Sequence, residues 1–498
     1  MNQTTKTPID HEGHPDRWKA LLVLLTGGFM NIMDISVVNV ALPALQSAFS
    51  ATPSQIEWVA AAYVLAFALG LLPLGRLGDR LGRKALFLYG IAAFSLLSAL
   101  CGMATSMNML ILARVLQGIS AAMIMPQILA SVQVIFAPRE RVHAFSYFGL
   151  SAGLASIAGP ILGGLLIGAN LFDMGWRWIF LVNVPIGLIV ILVGAKILPA
   201  IAGHPDVRND WGGIVIAALA VFCLCFSLVE GHSLGWPDWT FAMMALALPL
   251  AIAFSFHEKW RERRARSQVL PTSLLANLNF SLGSVLITAV FAGSMGAFLP
   301  IALFLQQGFD YTALKAGLTM APFAIGVLVG SQILRLLGNR HMKARLIVGA
   351  IAYSAGMAVM RHIVGGVGDA IHPLAFGLPL FVSGIGMNFA ISTVMRTALA
   401  DVPHKDAGSA SGALQTFQNL GSAFGIAIAG QLYFSALDSA FAAGQSRHAA
   451  FVAGLETSLI FNIAILAAVA LLALVMREPP APGHAERPGE NRPVPVEA

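Results

Sequence analysis

The chain has 498 residues, of which 57% are hydrophobic and only 11% are charged. A soluble domain carries roughly 25% charged residues, so this sequence cannot cover a water-facing surface, and a soluble globular protein is excluded. The net charge of +6 does not point to nucleic acid either, because the basic residues lie in short segments between apolar runs.

Residues 1–17 are polar and include Pro8, His11, His14 and Pro15. They lack the apolar core and small-residue cleavage pattern of a secretory signal, so a cytoplasmic tail followed by a retained first span is expected. Apolar stretches long enough to cross a bilayer as helices recur from there on. Fourteen spans are expected, near 18–43, 55–75, 85–105, 108–130, 144–168, 178–198, 211–230, 239–257, 278–306, 314–336, 345–364, 374–396, 409–435 and 452–476. The fold class is therefore an all-α polytopic membrane protein. The longest polar interruption, HEKWRERRARSQ at 257–268, falls near the middle. Residues 479–498 are polar and Pro-rich and are expected to form a disordered cytoplasmic tail. Cys101, Cys223 and Cys225 all lie in apolar runs and read as small buried residues; no metal or disulfide framework is expected.

Orientation follows from the cations, since Lys and Arg accumulate on the cytoplasmic side. With the N-terminus inside, 25 of the 30 Lys and Arg fall in inner segments and four in outer ones, while Arg114 lies within a span. Both termini are expected in the cytoplasm. There is also an internal repeat. LGDR at 77–80 returns as LGNR at 337–340, and the small-residue pattern of GPILG at 159–163 returns as GSAFG at 421–425. The near-equal offsets suggest duplicated halves, a common transporter plan. The expected organisation is a tail at 1–17, a six-helix half at 18–200, two inserted transmembrane helices at 201–260, a second six-helix half at 261–478 and a tail at 479–498.

Five motifs in chain order carry a specific resemblance: MDISVVNVALP (33–43), GRLGDRLGRKAL (75–86), ARVLQGISAA (113–122), GPILGG (159–164) and WRWIFLVNVPIG (176–187). The set resembles the major facilitator superfamily, and within it the fourteen-span drug:proton antiporter family of the multidrug-efflux type. The resemblance implies two six-helix halves with two inserted helices. It also implies that Gly75, Asp79, Arg80, Gly82 and Arg83 form a conformational latch in which Asp79 engages the other half and stabilises the outward-open state. Asn339 replaces the acid in the second copy, so the latch is expected to be one-sided. Some members carry a further acid in the second span; here that segment reads WVAAAY (58–63), which argues against multi-proton coupling and against a strong preference for divalent cations.

Single residues then stand out. Asp34 lies midway along the first span, where a carboxylate costs about 2.5–3.5 kcal/mol on insertion scales, and so marks a proton-coupling site. Arg114 is the one deep cation and its expected partner. Glu57, Glu230, Asp310 and Glu456 lie near span ends and read as interfacial. Gly159, Pro160, Gly163 and Gly164 combine close helix approach with a missing backbone donor, and are expected to form a hinge that seals against proton leak. Asn31, Met33, Gln117, Met125, Asn388, Phe417, Gln418 and Asn419 are the candidate cargo-cavity residues.

The expected function is proton-coupled export of small amphipathic or cationic compounds by alternating access in the bacterial inner membrane. The alternatives are an exporter dedicated to one metabolite or lipid-like molecule, and a non-transporting receptor or scaffold. No cofactor is expected beyond the proton gradient. Expected partners are membrane lipid, amphipathic small molecules and protons, with a monomer as the functional unit, alone or with a periplasmic adaptor. No P-loop exists, because no Lys follows a Gly, and no HExxH motif is present, so no enzyme activity or intramembrane hydrolysis is expected.

Overall fold

The computed structural model describes residues 14–200, 203, 210–231, 234–264, 266, 268, 269, 274, 277–337, 341–366, 372–400, 402 and 407–476. The C-terminal tail at 479–498, most of the N-terminal tail and Asn339 lie outside the described residues.

Fourteen long helices carry the described chain. The first half holds α1 (Arg17–Phe49), α2 (Pro53–Leu81), α3 (Arg83–Gly102), α4 (Met107–Ile135), α5 (Pro138–Ala169) and α6 (Asn183–Ile197), the last preceded by a short turn at Trp178–Leu181. The insert is α7 (Trp211–Glu230) and α8 (Asp238–Arg263). The second half holds α9 (Leu278–Leu303), α10 (Ala313–Leu337), α11 (Met342–Gly365), α12 (Gly377–Ala400), α13 (Ala407–Ala442) and α14 (Arg447–Leu472). Among the described residues, thirteen segments are long and apolar enough to cross a membrane, and α5, apolar over 153–169, takes the fourteenth place. Many large apolar side chains, such as Leu96, Leu188 and Phe256, face outward, as lipid-facing helices require.

Local sequence explains several boundaries. Thr52 and Gln55 form a capping box at the start of α2, with Pro53 in the first helical position. Ser106, Asp210, Asn277 and Ser446 cap α4, α7, α9 and α14 through their side-chain oxygens. The dense basic segment at 75–87 is mostly helix, not loop. Only Gly82, at φ 99°, separates α2 from α3, and that left-handed conformation suits glycine.

The two halves repeat one packing plan. In the first, α1 packs on α5, α2 and α3 on α4, and α3 on α6; in the second, α9 packs on α13, α10 and α11 on α12, and α11 on α14. The repeated glycines lie at matching joints. Gly159 and Gly163 abut Ser36 and Val37 of α1, and Gly421 and Gly425 abut the backbone of Thr288 and Ala292 in α9. The halves meet through α2 with α13, α5 with α10, and α1 with α9. The insert sits to one side: α7 packs on α2 and α13, while α8 packs on α7 and buries only Thr240 and Glu258.

Candidate functional site

Inside the first half lies a buried polar cluster. Asp34 of α1 is 0% exposed and Arg114 of α4 is 1% exposed. Arg114 Nη1 donates to Asp34 Oδ2 at 2.5 Å, while Gln117 Nε2 and Asn183 Nδ2 donate to Asp34 Oδ1 at 3.1 and 3.0 Å. Arg114 also donates through Nε to the Val59 carbonyl at 3.2 Å and through Nη1 to Gln117 Oε1 at 2.9 Å, and its guanidinium lies 4.1 Å from the Tyr63 ring centre. A buried ion pair survives desolvation only when its remaining valences are met in this way. The motif order now has a geometric reason. Asp34 (33–43), Arg114 and Gln117 (113–122) and Asn183 (176–187) come from three of the recognised segments and meet at one carboxylate. Asn183 was not singled out from the sequence; an amide in the otherwise apolar run FLVNVPIG was the available signal.

Beside this cluster, between the halves, lies a cavity of about 1670 Å³. Of the expected cargo residues, Asn31, Met125, Asn388, Gln418 and Asn419 line it. Met33, Gln117 and Phe417 do not. Met33 is buried in the first half, Gln117 belongs to the charge cluster, and Phe417 packs against the apolar core of the second half. The reason is angular: adjacent helical residues point about 100° apart, so Phe417 turns away where Gln418 faces in. Gln415 and Ser422 also line the wall. Together with Gln418 and Asn419 they form a polar stripe at spacings of three and four, a pattern legible in the sequence but not extracted from it.

The cavity opens on the face where α1 begins and α14 ends. Asp79, Arg83, Arg76, Arg335 and Arg396 lie along its wall on that side. This basic face also carries the Arg17–Glu140 pair, and Lys84 donates there to the carbonyls of Ala195 and Leu198. The opposite face is shut. Gln306 Nε2 donates to Val40 O at 3.0 Å, Gln307 Nε2 donates to Gln46 Oε1 at 2.9 Å, Gly164 lies against the backbone of Leu314, and Gly317 lies against the Pro160 carbonyl. The segment expected to act as a hinge is thus divided. Gly159 and Gly163 pack within their own half, whereas Pro160 and Gly164 meet the other.

Of the residues expected to form a latch, Asp79 and Arg83 hold to each other within the first half. Asp79 Oδ1 accepts from Arg83 Nη2 at 3.1 Å within the same half, and Arg83 Nη1 also donates to Ala130 O at 2.6 Å. Gly75 and Gly78 lie against Pro126 and Gln127 of α4, which is close packing inside a helix and not a turn. Arg80 is exposed at the end of α2. Arg76 donates to the carbonyl of Gln268, tying the basic segment to the chain that follows α8.

One further reading needs correction. Glu57 is not interfacial: it is 2% exposed, held at the seam where α2 meets Gly430 of α13, and its Oε2 has no hydrogen-bond partner. A glycine opposite it leaves the room that a side chain there would fill. Glu230 and Asp310 do sit at helix ends, where Glu230 Oε1 accepts from Trp58 Nε1 at 2.8 Å, whereas Glu456 lies well inside α14, with Oε1 3.7 Å from Arg361 Nη2. The letters GLSAG at 149–153 match the GxSxG pattern of hydrolase nucleophiles. Such a serine needs a strand-to-helix elbow, and this one runs within α5 with its hydroxyl 3.5 Å from the Leu25 carbonyl. No group of three or more His, Cys, Asp or Glu able to hold a metal occurs among the described residues.

Two matching helical halves around one cavity, open to one face and closed to the other, define a multi-pass membrane transporter. The sequence profile of the Major Facilitator Superfamily matches residues 24–426, and the chain belongs to that family. The probable actinorhodin transporter of Streptomyces coelicolor is 36% identical, over 85% of this chain and 73% of its own. The puromycin resistance protein pur8 of Streptomyces alboniger is 31% identical, over 93% of this chain and 92% of its own. A solved bacterial homolog of the human lysosomal transporter Spinster, in an inward-facing and unoccupied conformation, shares the fold with a TM-score of 0.64 at 17% identity, covering 93% of this chain and 97% of that one.

Proposed function

We propose that this protein is a proton-coupled exporter of small amphipathic molecules, of the fourteen-span drug:proton antiporter kind. It works by alternating access, with its basic face toward the bacterial cytoplasm. The observation that carries the reading is the placement of the Asp34–Arg114 pair directly behind the cavity wall. Arg114 lines the cavity and Asp34 does not, so the carboxylate reports to the cargo space through its partner. A proton arriving on Asp34 weakens its hold on Arg114, and the freed guanidinium changes the wall that cargo meets. Cargo binding from the cytoplasm does the reverse and favours proton release. One charge moving through 100 mV is worth about 2.3 kcal/mol, which is ample to drive export.

The cargo class is supported by the antibiotic-related names of both relatives. Cavity size favours a broad cargo range over a single metabolite. Ligand pockets usually span about 300–1,000 Å³, so one small metabolite would leave much of this space unfilled. The test uses everted membrane vesicles carrying the protein, an imposed proton gradient and a pH-sensitive dye. Adding puromycin should release protons and load the vesicles, and an uncoupler should stop both. Uptake that ignores the uncoupler would refute proton coupling.

A further inference from the structure

The charges that face the cavity are unevenly distributed. Among the described residues the only carboxylate in its wall is Asp79, near the open mouth and already held by Arg83. Arg76, Arg335 and Arg396 add guanidinium groups near that mouth, while Arg114, deeper in, has its charge met by Asp34. Asp34, the one acid that could serve a cation from within, is fully buried with both oxygens engaged by Arg114, Gln117 and Asn183.

The middle of the cavity is neutral. Asn31 is 1% exposed, and neither its amide nitrogen nor its amide oxygen has a hydrogen-bond partner; Asn388, from the other half, likewise has an unpartnered Oδ1. Both residues line the cavity. A buried unpaired polar group costs about 1–3 kcal/mol, so a cargo able to donate to and accept from these amides regains that energy on binding. Aromatic walls come from Phe67, Phe298 and Phe323.

We infer that this cavity selects neutral and anionic aromatic molecules bearing hydroxyl or carbonyl groups, and disfavours lipophilic cations. This rests on the exporter reading above and narrows its cargo class. Taking an ion out of water costs several kcal/mol unless an opposite charge meets it, and this wall presents no free carboxylate at depth. The aromatic faces do not make up the difference, because a cation over a ring gains only about 0.5–2 kcal/mol. An anion meets the opposite situation. It passes the guanidinium groups at the mouth and is drawn inward by them, and a neutral cargo pays no ionic desolvation at all.

Fluorescein and rhodamine 123 test this directly, since they share a xanthene frame and differ in charge. Anisotropy titrations of the full-length protein in lipid nanodiscs should show fluorescein binding about tenfold or more tightly, with the preference shrinking as salt screens the mouth. Arg335→Gln with Arg396→Gln should reduce fluorescein affinity several-fold. Asn388→Asp, at a half-buried site, should raise rhodamine 123 affinity and reverse the order. Equal or tighter binding of rhodamine 123 by the parent, with proton release in the vesicle assay, would overturn the charge inference and leave the exporter reading standing. Failure of both dyes to bind, together with no proton release on adding either dye or puromycin, would remove both.

Discussion

At the scale of single residues, the charge cluster is balanced by geometry that few substitutions preserve. Asp34→Asn keeps size and polarity, and Asn183 Oδ1, which has no partner, allows that amide to turn over and accept from the new side chain. The variant should reach the membrane with a lowered thermal midpoint, because Arg114 keeps its charge without a counter-ion, but lose proton release on cargo addition while downhill cargo exchange persists. Unchanged proton release in the purified variant would move the coupling site elsewhere, with Glu57 the next buried acid to examine. Arg114→Ala should fare worse. It strands a buried carboxylate, and losing one member of a buried pair costs about 3–5 kcal/mol. Its thermal midpoint should fall well below that of Asp34→Asn, and Arg114→Lys should recover stability only in part, because a lysine cannot reach Asp34, Gln117 and Val59 O together. The pairing of Asp34 was legible in the sequence, since a lone acid deep in an apolar run needs a partner. That Gln117 belonged to this cluster and not to the cargo wall was not legible, because both roles ask for a polar residue on the same helix.

At the scale of elements, α5 shows how one helix serves two contacts. Its Gly159 and Gly163 lie against α1, and its Pro160 and Gly164 lie against α10 across the gap between halves. A Cβ at Gly164 would come 2.7 Å from the Leu314 nitrogen, too close for the joint to stay shut. Gly164→Val should therefore open the closed face. Cysteine probes placed at Val40 and Gln306 should become accessible to a membrane-impermeant reagent from the face opposite the basic one, and transport should fall. The three native cysteines are buried, so their background labelling is low. An unaltered labelling pattern would reduce this glycine to simple packing. The insert has its own fastening. Asp210 caps α7, hydrogen-bonds His257 Nε2 of α8 at 3.0 Å and forms an ion pair with Arg261 of α8, Nε to Oδ2 3.0 Å. Asp210→Ala should loosen that end of the hairpin, raising hydrogen exchange over α8 near Glu258 with little change in the two halves. The number and order of the helices could be read from apolar run lengths. Which glycine of a GxxxGG cluster faces which neighbour could not, because spacing sets angular position but not the identity of the partner.

At the scale of the whole molecule, the arrangement is open on the basic face and shut on the other. Asp79 bonded to Arg83 is the condition expected of a latch when the mouth it would close is open. Asp79→Asn should shift the population further toward the open mouth, lowering turnover while leaving cargo affinity nearly unchanged. Spin labels at Gln133 and Gln332, which line the cavity from different halves, would report it as a larger share of long distances. An unchanged distance distribution with unchanged transport would return the basic segment to a topology anchor. Membrane character, helix count, duplicated halves and an acid–base pair across spans were all determined by the sequence itself. Each depends on local composition or on periodicity along one helix, and lipid imposes those constraints residue by residue. The tertiary structure alone decided which side of the cavity is open, that Glu57 is sealed against Gly430, that Asp34 lies behind the wall and not in it, and that the wall is poor in carboxylates. Those are facts about surfaces brought together from distant segments. Apolar patterning is much the same on a helix face that meets lipid, a neighbouring helix or an enclosed space, so only the packed arrangement assigns each face its surroundings.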